Sequence, residues 1–241
     1  MKVSVILPSY RSAQELKQIL PLFTSWISIR YDYEIIVVDD GSQDNNATEL
    51  VAREYSCKFI RLDKNTGKGG AVRAGMLAAC GDVRIFTDSD IPFEFDAIEK
   101  CVDYIINKEF HLAIGDRRLP DSNYYNKITG VRKFASQIFT FLVGRFITTG
   151  LFDTQCGLKG FSKTAATDLF RVAQLNGFAF DVELLYIALK RNYDIKRISV
   201  KFRSHQENSS INVFRHSLFM IIDLFKIKLY HLKGCYNKTA H

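Results

Sequence analysis

Nothing in this 241-residue chain approaches 18 uninterrupted apolar residues, so no stretch is expected to span a bilayer. Cysteine is sparse and ill placed for pairing: the five, at 57, 80, 101, 156 and 235, are odd in number, scattered and never spaced CxxC. That pattern argues for a reduced, cytoplasmic setting over a disulfide framework. The opening MKVSVILPSY has too short an apolar run for a secretion signal, and Pro8-Ser9-Tyr10 ends it, so it reads as a first strand. GxGxxG is missing from the start, which disfavours a dinucleotide cofactor, and the GxxxxGK[ST] spacing of a P-loop is missing too. With no helix-turn-helix, zinc or RNA-recognition signature, nucleic acid is not an expected partner. There is no internal repeat and no low-complexity region.

What is present is 47% hydrophobic and long enough for one large α/β domain with an appendage. Its charge is lopsided. Residues 1–100 carry 12 Lys+Arg against 15 Asp+Glu, a net of −3, and residues 101–241 carry 21 against 11, a net of +10. The second half is therefore suited to an anion, although a solvated basic surface would look the same.

The first half alternates strand and helix patterns: strands at 3–9, 34–40, 58–62 and 83–87, with helices at 13–28, 46–55 and 68–80 between them. Asp44 or Asn45 is the expected cap of the second helix. This rhythm predicts a mostly parallel sheet with helices on both faces. Beyond 90 the expected elements are a helix at 94–108, a strand at 111–118 running into a basic loop, a helix at 127–147 and a loop at 152–162. Helices at 163–173 and 180–191, a strand at 195–202 and a last apolar helix at 213–232 complete the chain. The domain is expected over 1–205. The remainder, 206–241, is an amphipathic segment suited to a membrane interface, to packing on the domain, or to a second copy of the chain.

Chemistry concentrates where strands end. VRIFTDSD at 83–90 places Asp88 and Asp90 at the C-terminal end of a hydrophobic strand, where open α/β sheets bind ligands. Two such carboxylates call for a cationic neutraliser, and a hard divalent metal carrying a diphosphate fits. Asp39-Asp40-Gly41-Ser42 closes the second strand. Gly41 permits a sharp turn, and the carboxylates, taken as exposed, could accept from base N–H or ribose hydroxyl groups; a plain turn and cap is the alternative. Asn65 to Gly70, NTGKGG, precedes a helix whose N-terminus offers free N–H groups beside Lys68. Arg117 and Arg118 follow the strand at 111–115. Arg132 and Ser136, four apart on one helix face, suit a phosphate clamp or a plain basic surface. Asp153, Asp181 and Glu183 are each open to roles as a general base, an orienting group, a cap or a salt-bridge partner.

Taken together, VSVILPSY, VVDDGSQDN, GKGGAVRAG, FTDSD and GDRR occur in the order of glycosyltransferase family 2, the inverting enzymes with a GT-A fold, which the chain resembles over most of its length. DTQCGLKGF and FAFDVELLYIA are similar to the polyprenyl-phosphate branch, particularly its glucosyl members. The resemblance implies that Pro8, Tyr10 and Asp40 hold the nucleoside, with Asp39 and Lys68 nearby. It implies that Asp88 and Asp90 bind Mg²⁺ or Mn²⁺ on a nucleotide-sugar donor, UDP-glucose being favoured over GDP-mannose. Arg117, Arg132 and Ser136 match positions that hold an acceptor phosphate. The implied acceptor is polyprenyl phosphate, met at the cytoplasmic membrane face by a peripheral protein; a glycan hydroxyl is the alternative and would need Asp153 or Asp181 as a base. An enzyme that makes sugar nucleotides is disfavoured, because its Gly-rich, Arg-containing N-terminal loop is missing.

Overall fold

The computed structural model describes residues 1–122, 150–151, 153–203 and 213–237. The helix expected at 127–147, with Arg132 and Ser136, lies outside the described residues.

Four strands and three helices alternate through the first half: β1 (Lys2–Ser9), α1 (Ala13–Ser28), β2 (Asp32–Asp39), α2 (Ala47–Glu54), β3 (Lys58–Arg61), α3 (Lys68–Ala78) and β4 (Val83–Thr87). They are followed by α4 (Asp96–Ile106), β5 (Leu112–Asp116), β6 (Leu158–Ser162), α5 (Lys163–Val172), α6 (Phe180–Lys190), β7 (Ile195–Ser199) and α7 (Val213–Leu232). The strands form one seven-stranded sheet in the order β3-β2-β1-β4-β6-β5-β7. All neighbours run parallel except β6, which is antiparallel to both β4 and β5.

The period-two alternation of strand side chains sorts the core into two layers. On β1, Val3, Val5 and Leu7 join α1, α2 and α4, whereas Ile6 faces the layer of α3, α5 and α6. That second layer holds an aromatic stack: Phe86 lies 6.0 Å from Phe161 and 5.6 Å from Phe180, ring centre to ring centre. Deleting a buried ring such as Phe86 costs about 3–5 kcal/mol, so this cluster ties β4, β6 and α6 together. α7 docks on the same layer through Ile227, and Tyr236 beyond it donates to Glu183 Oε1 at 2.7 Å. Among the described residues no helix is long and apolar enough to cross a membrane.

Two local expectations need correction. The segment 152–162 is not all loop, because 158–162 is the buried strand β6, wedged between β4 and β5. The second helix is capped at Asn46, which adopts a left-handed φ of 64°, and no cap hydrogen bond comes from its own side chain. Asp44 takes over that work by accepting from the Thr48 amide at 3.0 Å and from its hydroxyl.

Register decides what meets at the sheet's edge. Ser9 pairs with Asp39, and Ile6 with Phe86, so β1, β2 and β4 end together. Thr87 pairs with Leu158, and Ile114 with Lys159, which brings the start of β6 and the end of β5 to the same edge.

Candidate active site

β4 delivers Asp88 to that edge, and α3 delivers Lys68 opposite it. Lys68 Nζ lies 2.5 Å from Asp88 Oδ1, with the two side chains 22% and 39% exposed. The far side of the carboxylate rests against backbone: a Cβ placed on Gly157 would stand 2.1 Å from Asp88 Oδ2, so a larger residue there would push the carboxylate aside. The turn beyond Asp88 closes with the Ile91 amide on Asp88 O at 2.9 Å and puts Ile91 at φ 40°. A buried β-branched residue in that region costs of order 1–3 kcal/mol, strain typical of functional turns. Asp90 lines a small cavity of about 130 Å³ with Glu15, Gln18, Ile19 and Arg203.

Beneath Lys68 lies a buried ladder of alternating charge. Asp181, on α6, acts on Lys68 through space and makes an ion pair with Lys159 at 2.6 Å. Lys159 is fully buried, donates to Cys156 O at 2.8 Å and lies over the Phe86 ring. Burial pushes the Asp181 carboxyl above its ordinary range, against the pull of Lys159 and Lys68. Burial alone would lower the Lys68 ammonium, but Asp88 and Asp181 more than offset it and leave it raised.

Asp153 and Arg117 form a separate fork. The Asp153 carboxylate accepts from the Arg117 amide at 2.7 Å, from Nε at 2.9 Å and from the terminal guanidinium nitrogen at 2.6 Å. Burial would raise Asp153, yet Arg117's donors outweigh it and hold the carboxyl below the usual range. Arg117's guanidinium is thus turned onto a protein carboxylate.

The DDGS turn differs from expectation. Asp39 and Asp40 are buried, not exposed. Asp39 accepts from the Ser42 amide at 3.1 Å and from Arg61 Nε at 3.1 Å. Asp40 accepts from the Thr66 amide and hydroxyl and from the Gly67 amide, at 2.7–2.8 Å. A carboxylate sunk at a strand end must find such donors, and apart from the Ser42 amide these come from 22 to 27 residues further along the chain. The start of α3 is partly engaged by the protein itself: the amides of Thr66 and Gly67 serve Asp40, and that of Gly69 serves Asn176 O at 2.7 Å. What the motif presents is the Lys68 side chain. Gly41 does turn at φ 72°, and Tyr10 stands 45% exposed at the end of β1, with Pro8 one turn of the pleat before it.

Lys159 and the cavity beside Asp90 were not singled out from the sequence. A lysine inside LKGFS gives little warning of burial, because its partner Asp181 is supplied by another helix. Glu183, in contrast, is structural: it accepts from the Gln174 and Leu175 amides at 2.9 and 2.8 Å.

The residues at the edge suit a hard divalent cation. The donors are carboxylate oxygens, and the buried Thr87 Oγ1, one residue before Asp88, has no hydrogen-bond partner among the described residues. No group of three acidic, His or Cys side chains gathers among the described residues. A small hard cation carrying a diphosphate is commonly held by one or two carboxylates and completed by substrate phosphate oxygens.

The sheet has the GT-A arrangement, with acidic residues and a lysine at the C-terminal edge of its parallel strands. Residues 4–170 match the description Glycosyl transferase family 2, and the chain belongs to that family. It is 34% identical to the dolichyl-phosphate beta-glucosyltransferase of Drosophila melanogaster, over 98% of this chain and 77% of that one. It is 30% identical to the Dictyostelium discoideum enzyme of the same name, over 96% of this chain and 75% of that one. Among solved structures it is similar to glucosyl-3-phosphoglycerate synthase of Mycobacterium tuberculosis in complex with Mg²⁺ and UDP. There the TM-score is 0.66 at 18% identity, covering 94% of this chain and 79% of the other.

Proposed function

We propose that this glycosyltransferase moves glucose from UDP-glucose to polyprenyl phosphate, working at the cytoplasmic face of a membrane. The observation that carries the choice of acceptor is the engagement of both candidate bases. Asp153 is locked to Arg117 with its basicity lowered, and Asp181 is buried against Lys159. A sugar hydroxyl needs a general base, whereas a phosphate monoester oxygen is already anionic at neutral pH. Similarity to two dolichyl-phosphate beta-glucosyltransferases across nearly the whole chain supports both the sugar and the acceptor.

In this reading Asp88 and Asp90 hold Mg²⁺ or Mn²⁺, which supplies positive charge for the leaving nucleoside diphosphate. Lys68 adds a second positive charge at the same edge. Tyr10 and Pro8 border the place of the nucleoside, and Asp39 and Asp40 keep the adjoining turns in shape. An acceptor oxygen forms the new bond to the anomeric carbon as the bond to the diphosphate breaks, and the electron pair leaves on the diphosphate oxygen, inverting the carbon. Arg132 and Ser136 are proposed to meet the acceptor phosphate; Arg117, held by Asp153, would orient that region.

The exposed face of α7 fits a membrane contact. Ile222, Phe225, Leu229 and Leu232 are 45%, 74%, 46% and 82% exposed and follow helical spacing, with Lys226, Lys228 and Lys233 beside them. Apolar side chains flanked by lysines suit an anionic lipid interface.

The test is a donor and acceptor matrix: labelled UDP-glucose or GDP-mannose, each offered polyprenyl phosphate or an oligosaccharide. Organic-extractable label from UDP-glucose with polyprenyl phosphate is expected. Label appearing only on the oligosaccharide would refute the proposal.

A further inference from the structure

Lys68 and a divalent cation compete for one carboxylate. The ammonium already takes Asp88 Oδ1 at 2.5 Å, and Gly157 backs directly onto Oδ2. Two cations on so small a group repel each other, so a metal bound by Asp88 requires Lys68 to move away. The backbone around Lys68 cannot follow: Asp40 pins the amides of Thr66 and Gly67, and Asn176 O pins that of Gly69. Only the four-carbon side chain is free to swing, and a flexible point charge suits that task. Asp181 stands below as a second counter-charge, itself fixed by Lys159, so Lys68 stays within a negative field when it leaves Asp88. A nucleoside diphosphate arriving at the strand edge offers the other destination.

We propose that Lys68 is the resident counter-ion of Asp88 and passes to the donor's diphosphate when the metal binds. Nucleotide and metal are then positively linked through this one side chain. The inference rests on the donor reading given above. Its consequence is economy of binding: metal alone has to displace Lys68, and diphosphate alone has to draw it off Asp88, but together each relieves the other's cost. By reciprocity, the factor by which UDP tightens Mn²⁺ equals the factor by which Mn²⁺ tightens UDP.

The experiment titrates Mn²⁺ by electron paramagnetic resonance, with and without saturating UDP, on the wild-type chain and on Lys68→Met, Lys68→Gln, Lys68→Arg and Lys64→Met. In the wild type UDP should tighten Mn²⁺ by roughly 10- to 100-fold, the usual span of coupling between sites. Lys68→Met and Lys68→Gln should bind Mn²⁺ alone several-fold more tightly than wild type and lose most of the UDP enhancement. Lys68→Arg should restore the wild-type pattern. Lys64→Met, which removes an exposed positive charge four residues away, should leave it unchanged. Two neutral substitutions guard against one that folds poorly, with the melting temperature as control. The inference is overturned if neutral variants bind Mn²⁺ alone no more tightly than wild type, or keep the full enhancement. A wild-type chain that binds no UDP at any Mn²⁺ concentration would instead sink the donor reading itself.

Discussion

Asp153 shows how an environment assigns a role to a side chain that the sequence leaves open. Its carboxylate is nearly buried and held by three donors from Arg117, so it ionises more readily in the folded chain than in the unfolded one. A depressed carboxyl contributes stability that is present above its unfolded value, near 3.8, and lost as pH falls through the lower folded value. Asp153→Asn should therefore destabilise at neutral pH, by about 3 kcal/mol because a mostly buried guanidinium loses its partner. That deficit should shrink below pH 4, as read from denaturant melts across pH 2.5–7. A deficit that stays constant over that range would show that the pair is not electrostatic. Gly157 offers a second test at this scale. Gly157→Ala should leave the melting temperature within a few degrees, a change of about 1 kcal/mol, while displacing Asp88 and abolishing Mn²⁺-dependent UDP binding measured by calorimetry. Asp88 and Lys68 were legible because a carboxylate after a buried strand and a lysine in a Gly-rich turn are local signals. The burial of Asp39 and Asp40 was not, because Arg61, Thr66 and Gly67, which make it tolerable, come from a later strand and turn.

At the scale of elements, β1, β2 and β4 announced themselves through β-branched residues bounded by turns, and α1 and α7 through apolar spacing that matches their observed limits. β6 did not. Its five residues include a buried lysine and a glycine, and it is a strand only because β4 and β5, distant in sequence, line both its sides. Propensity cannot report a partner that the chain has not yet met. α7 was open between a packed helix and an interfacial one, and the structure gives it both faces: Ile227 is buried in the core, and Phe225 and Leu232 are exposed. If the outer face meets lipid, Phe225→Glu together with Leu229→Glu should weaken co-sedimentation with anionic vesicles by tenfold or more, since each loses roughly 1.5–3 kcal/mol of apolar transfer. The soluble transfer chemistry should be untouched. Equal vesicle binding by the double variant would move the membrane contact to another part of the chain.

For the whole molecule, the uneven charge and the sheet topology describe one arrangement. The acidic first half brings Asp39 at the end of β2 and Asp88 after β4 to one edge, and the basic second half contributes β6 with Lys159 and the loop with Arg117 to the same edge. A second cavity, of about 770 Å³, is lined by Lys163, Asp168, Arg191 and Tyr236. It lies toward the opposite end of β6 from Asp88, where Ser162 pairs with Val83 at the start of β4. The claim on which the molecule's function turns is that Asp88 and its cation hold a uridine diphosphate. The direct measurement is the melting temperature with UDP or GDP, with and without Mn²⁺, for the wild type and for Asp88→Asn. UDP with Mn²⁺ at a hundredfold excess over Kd should raise the wild-type value by roughly 5–10 °C, GDP should do far less, and Asp88→Asn should lose the metal-dependent part. A UDP shift that needs no Mn²⁺, or that survives intact in Asp88→Asn, would contradict it.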